Sequence, residues 1–212
     1  MVAYMDVING LLHDGVFQTR QVHYYEPWQA LPATLAYLRS NTPSSVPLEL
    51  WELGVWDDDR SVGADQRTAE VVKATVIALA AGVQKVLWLP LLDNPTGRLG
   101  QTLHGLVTAS GDLRGSASAY ALISRAAADG ATVGPVTRTG LTGATFDSAH
   151  PTLVAWATGG QADLPAVPGA SGTTLDRATT VSTTTPAPST VTQQPVLITT
   201  SGPMSALREV AR

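Results

Sequence analysis

The chain has no cysteine, which excludes disulfides and thiolate chemistry and leaves the redox compartment open. Charge is also scarce. Asp, Glu, Lys and Arg make up 14% of 212 residues, so the surface must draw its polarity from Thr, Ser, Gln and Asn. No basic patch is visible, the net charge is −4 and the pI is about 5.4; together these argue against a nucleic-acid partner. No apolar run approaches the roughly 20 residues that span a bilayer, so no membrane partner is expected. No G-x-G-x-x-G follows a strand, which sets aside a Rossmann-type nucleotide enzyme. The opening residues "MVAYMDVINGLLHDG" show no basic region, long apolar core or small-residue cleavage site, and read as interior sequence rather than a signal peptide. What is present is ample apolar material, 44% of the chain. That is enough for one large domain or two small ones.

Along residues 1–130 the pattern alternates between helix and strand. Helices are expected over 4–12, capped by Gly15, over 27–40, where Leu31, Leu35 and Leu38 recur at helical spacing, over 64–83 and over 115–130. Strands are expected over 17–25, 47–56 and 85–92. The 47–56 strand, "PLELWELGVW", reads as buried on both faces. The order α-β-α-β-α-β-α with short connections is that of parallel βα units. From residue 131 the texture changes to short Thr- and Val-rich segments parted by Gly, Pro, Asp and Ser. This predicts an all-β unit, a small sandwich over 131–202. The Thr-rich part (173–200) also fits a glycosylated or disordered stalk, but "TLVAWA" and "PVLITT" bring enough apolar side chains to favour strands. Residues 203–212 read as a short helical tail.

One residue sits oddly in this pattern. Glu52 lies in an apolar strand, where a lone buried carboxylate is costly. In parallel α/β barrels functional residues occupy the C-terminal ends of strands. Here the three strand ends are "VHYYEPW", "WELGVW" and "LWLPLLDN". Side chains alternate along a strand, so His23 and Tyr25 share a face, and Glu52 lies level with them on the next strand. Trp88 is expected to close the pocket from the third strand. Counting from Glu52, Trp51 is expected to point away into the core, and Glu49 to lie on the opposite face.

The order H-x-Y, then W-E-x-G, then an apolar strand containing Trp resembles strands six to eight of clan A retaining glycoside hydrolases, the (β/α)8 barrels that include cellulase-like and β-xylosidase-like enzymes. The β-rich region after it is similar to the C-terminal sandwich that many members carry. The resemblance covers nearly the whole chain. It implies a partial barrel of about three βα units over 1–130, followed by a β-sandwich accessory domain. It implies Glu52 as the catalytic nucleophile, with His23 and Tyr25 orienting it and contacting sugar, and Trp88 as the aromatic floor beneath the sugar. The chemistry is consistent. A retaining glycosidase uses two carboxylates about 5–5.5 Å apart, the nucleophile must be ionised and so needs donors nearby, and an indole suits the C–H face of a pyranose.

The resemblance also marks what is missing. The acid/base glutamate of this clan follows an Asn at the end of strand four, and no Asn-Glu pair occurs in this chain. A complete barrel takes about 250 residues, so the expectation is a C-terminal fragment lacking the N-terminal half of the barrel. The expected partner is an oligo- or polysaccharide, with no cofactor and no metal, and extracellular action is favoured for the full-length protein.

Blander readings remain beside these. Glu52 also fits a buried ion pair with Arg20 or Arg60, and His23 a satisfied core histidine. Trp28 and Trp56 either line a sugar groove or cover the barrel rim. Asp93 and Asn94 either bind sugar hydroxyls or are ordinary loop polarity. The "DDDR" run (57–60) fits a calcium loop or a solvated turn. The alternative function is a non-catalytic carbohydrate-binding or degenerate glycosidase-like protein, whose binding aromatics in the β region would be Phe146 and Trp156.

Overall fold

The computed structural model describes residues 2–55, 63–94, 105–128, 130–174, 182–184 and 186–212. Trp56, the "DDDR" run with Arg60, and His104 lie outside the described residues. The first part contains α1 (Val2–His13), β1 (Arg20–Tyr24), a 3-10 turn (Trp28–Ala30), α2 (Leu31–Ser40), β2 (Leu48–Leu53), α3 (Ala64–Ala80), β3 (Lys85–Trp88) and α4 (Gly115–Ala126). The strands form a parallel sheet in the order β1-β2-β3. The i, i+4, i+7 leucines of α2 are all buried. They join Leu48, Leu50, Leu53, Val71, Ala74 and Ala78 in one core that covers a single face of this sheet.

The second part is antiparallel. It contains β4 (Thr132–Pro135), β5 (Leu141–Asp147), β6 (Thr152–Ala157), β7 (Gln161–Asp163), β8 (Ala170–Thr174), β9 (Ser182–Thr184), β10 (Thr190–Thr192), β11 (Val196–Thr200) and α5 (Met204–Ala211). Six strands run in the order β4-β5-β6-β11-β8-β9, and β10 pairs with β7 apart from them. The described Thr-rich segments are thus strands within sheets. The fold is mixed α/β plus all-β, with several sheets.

The large sheet is buried on both faces, which explains why "TLVAWA" is buried at every position and apolar at all but Thr152. Leu153, Ala155, Val196 and Ile198 face Leu164, Val191 and the Leu207 and Val210 side chains of α5. Phe146, Val154, Trp156 and Leu197 face Val72 and Val76 of α3 and Ala119 and Ile123 of α4. Residues 203–212, read from sequence as a tail, therefore hold an integral helix. The Ala211 carbonyl accepts hydrogen bonds from the backbone N–H groups of Thr137 and Arg138.

Helix α3 serves both parts. Val71, Ala74 and Ala78 belong to the core of the parallel sheet, and Val72 and Val76 to that of the antiparallel one. Successive helical residues are about 100° apart, so these two sets form adjacent stripes.

Candidate functional site

The site lies on the face of the parallel sheet opposite this core, and the register explains how it forms. Between β1 and β2, Gln21 pairs with Glu49, Val22 with Leu50, and His23 with Glu52. Between β2 and β3, Leu50 pairs with Val86 and Leu53 with Trp88. Against both neighbours, β2 carries one extra residue between Leu50 and Leu53. This is a β-bulge, which re-aims the side chains beyond it. Paired residues share a face, so Gln21, His23, Glu49 and Glu52 lie together. Leu50, Leu53, Val86 and Trp88 lie on the other side.

Two side chains meet at Glu52. The His23 Nδ1 is 3.1 Å from its Oε2, and the Tyr25 hydroxyl donates to the same oxygen. Burial first, then the hydrogen bond to Glu52 and that residue's charge, push the Tyr25 hydroxyl well above the ordinary tyrosine range. It is therefore a donor at any physiological pH. Both contacts fall on Oε2, and among the described residues none falls on Oε1.

Gly54 fixes the depth of this corner. A Cβ there would lie 2.1 Å from the Leu89 carbonyl oxygen and 3.4 Å from Cδ1 of Tyr25. The glycine of W-E-x-G is thus required by the close approach of the chain leaving β3.

A second cluster occupies the same face. Glu49 accepts a hydrogen bond from the Trp51 Nε1 at 2.5 Å and lies 3.4 Å from the Lys85 ammonium. Lys85 also sits over the Trp51 ring, 5.8 Å from its centroid. Two expectations are corrected here. Glu49 is on the face of Glu52, and Trp51 is 48% exposed rather than core. The bulge is the reason, because one inserted residue reverses the parity of everything counted across it. The pairing of Glu49 with Trp51 was available in the sequence, since i and i+2 share a face. Their relation to Glu52 was not.

The remaining candidates are used elsewhere. Trp88 is 6% exposed, pairs with Leu53 and belongs to the core. It does not floor the site from the face of Glu52. Trp28 stands edge-on to Trp156 with centroids 6.0 Å apart, beneath the Lys73 ammonium at 4.8 Å. It joins the two parts of the molecule, packing against the cores of both. Burial holds the Lys73 ammonium below its usual range. Asp93 is buried, accepts from the Gly105 N–H at 2.9 Å and is paired with Arg114. Its carboxylate thus holds the chain after β3 together. Asn94 is exposed beyond it.

The competing ion pair does not form with Arg20. That guanidinium is buried and donates to the Asn41 carbonyl and the Thr42 hydroxyl. Phe146 and Trp156 are buried as well, which removes the aromatics a glycan surface on the β part would have used. Among the described residues no group of three or more acidic or histidine side chains is placed to hold a metal ion. Among the same residues no helix is long and apolar enough to cross a membrane.

Comparison with known proteins gives a fold. No family model and no curated protein matches the sequence. Among solved structures, an arabinose-bound GH51 α-L-arabinofuranosidase aligns over 86% of this chain with a TM-score of 0.57 and 13% identity. The chain spans 36% of that enzyme's length. At that identity the likeness is one of fold: this chain is similar in architecture to part of a glycoside hydrolase.

Proposed function

We propose that the chain is the C-terminal part of a retaining glycoside hydrolase, with Glu52 as nucleophile. On this reading residues 1–130 are the last three βα units of a (β/α)8 barrel, and 131–202 are the accessory sandwich built on it. The observation that carries the reading is the arrangement at Glu52. A carboxylate near the C-terminal end of a parallel strand holds two donors on Oε2, from His23 and Tyr25. Donors to the charged form keep a carboxylate ionised, and Oε1 is left to react. The likeness to a glycosidase fold supports the same class.

The chemistry is double displacement. Oε1 attacks the anomeric carbon, the bond to the leaving oxygen breaks, and an acid protonates that oxygen. Water then attacks the glycosyl ester, returns the carboxylate and gives its proton to the same residue, now a base. That second carboxylate is supplied by the remainder of the barrel. Glu49 is unsuited to the task, being already engaged by Lys85 and Trp51.

The test uses the product of the complete reading frame, assayed on aryl α-L-arabinofuranosides and β-xylosides. Glu52→Gln should lower turnover by about a thousand-fold or more, as loss of a covalent nucleophile does. Activity within tenfold of wild type would end this reading.

The alternative is a non-catalytic carbohydrate-binding or degenerate protein. It predicts sugar binding without turnover in the complete product.

A further inference from the structure

We infer that Arg20 is one half of a buried ion pair, whose carboxylate lies on the strand that continues the sheet beyond β1. This rests on the proposed function, in which further barrel strands belong to the same polypeptide, and it names the chemistry by which one of them is joined.

Charge is the first observation. Arg20 is only 4% exposed. Its Nη1 donates to the Asn41 carbonyl and the Thr42 hydroxyl, both uncharged. Its Nη2 is buried with no acceptor among the described residues, and Arg20 makes no ion pair among them. A guanidinium stays charged at any physiological pH, and a buried charge without a counter-ion is costly.

Space is the second. A cavity of about 440 Å³ opens beside Arg20, walled by Met5, Ile8 and Leu12 of α1 with Phe17 and Leu38. No acidic side chain among the described residues lines it. The backbone is the third. Strand β1 lies at the edge of its sheet, with β2 on one side. The Arg20 N–H donates to the Pro47 carbonyl, and the Tyr24 carbonyl accepts from the Gly54 N–H. Backbone groups alternate sides along a strand, so Gln21 and His23 turn theirs to the open edge, where a further strand can pair.

A strand seated there fills the cavity with apolar side chains and sets an Asp or Glu level with Arg20, accepting from Nη2. The pair also fixes register, because a slip of one residue would send the carboxylate to the other face. Arg20 is three residues from His23 and so faces away from Glu52. The carboxylate is therefore distinct from the acid/base residue of the proposed reaction. A second copy of this chain, paired through the same edge, would not supply it, since β1 holds no Asp or Glu.

The test uses the product of the complete reading frame. Amide hydrogen exchange compares Gln21 and His23 with Arg20, whose N–H is already bonded toward β2. All three should be protected to within about tenfold of one another. Arg20→Met is then combined with Asn or Gln at each Asp or Glu of the strands that precede this chain, with Arg20→Lys taking its place should the Met variant not fold. One carboxylate should couple to Arg20, leaving the double variant's unfolding constant about tenfold or more nearer wild type than the product of the single effects. Exchange at Gln21 and His23 about a hundredfold faster than at Arg20 would mean an open edge and overturn the inference. Protection with no carboxylate coupled to Arg20 would overturn it as well. So would protection confined to a sedimenting dimer, which would give the edge to a second copy. Each of these results leaves Glu52 untouched, because turnover of Glu52→Gln reads its role separately. A carboxylate coupled to Arg20 in a product indifferent to Glu52→Gln would keep the ion pair and end the glycosidase reading.

Discussion

At the scale of single residues, the tyrosines at the end of β1 set a pH limit. The Tyr24 hydroxyl is pushed up to about 12, by burial first and then by Glu26 and Glu70. Tyr25 is raised too, by burial and then by Glu52. A raised value means the folded chain keeps a proton that the unfolded chain releases above its ordinary 10.0. That contribution to stability is fully present below the unfolded value and is lost as pH rises through the folded one. Urea midpoints should therefore fall as the pH rises from about 10 to about 12, and Tyr25→Phe should flatten the fall. Equal slopes in the variant and wild type would separate Tyr25 from the effect. His23, Tyr25 and Glu52 were legible because they need only strand alternation on β1 and a level neighbour on β2. Trp51, Glu49 and Trp88 were not, because a bulge leaves no mark in composition or period.

At the scale of elements, helices read more reliably than strand faces. The leucines of α2 recur at a spacing only a helix can bury, and they are buried. The helix expected over 27–40 does begin later, at Leu31, because the 3-10 turn of Trp28–Ala30 precedes it. Residues 203–212 were readable as helical but not as integral. Leu207 and Val210 find their partners only in the folded antiparallel sheet. The strand that matters most is β2, and its tolerance is lowest at Gly54. In Gly54→Ala the new methyl would meet the Leu89 carbonyl at 2.1 Å, and the chain after β3 or the Tyr25 ring must move. A loss of about 1–3 kcal/mol is expected, as for overpacking elsewhere. Denaturant unfolding measures it, and a neutral result would mean that the approach relaxes freely. Gly143 in β5 is a comparable case, with a φ of +150° and the Val154 carbonyl oxygen 1.9 Å from where a Cβ would be.

At the scale of the whole molecule, the parallel and antiparallel parts share α3 and α4. The change of texture near residue 131 was plain in the sequence, but the continuity of packing across it was not. Periodicity shows that a helix has an apolar stripe, and it does not show that two sheets divide that stripe between them. The Trp28–Trp156 contact under Lys73 adds a second tie. The two parts should therefore unfold together. Tryptophan fluorescence and far-UV circular dichroism should give coincident melting curves, and two separated transitions would show that the shared helices do not couple them.

Helix α3 also limits how this architecture can be recombined. From Thr68 to Val76, Glu70 is the one residue that is not buried. A helix with so little water-facing side cannot accept a replacement sheet as a surface graft. Any exchange of the antiparallel part must refit Val72 and Val76, and any exchange of the parallel part must refit Val71, Ala74 and Ala78. The two sets lie side by side on the same stretch of about two turns. The two halves of the molecule are thus bound to change in step, and α3 is where a chimaera would first fail.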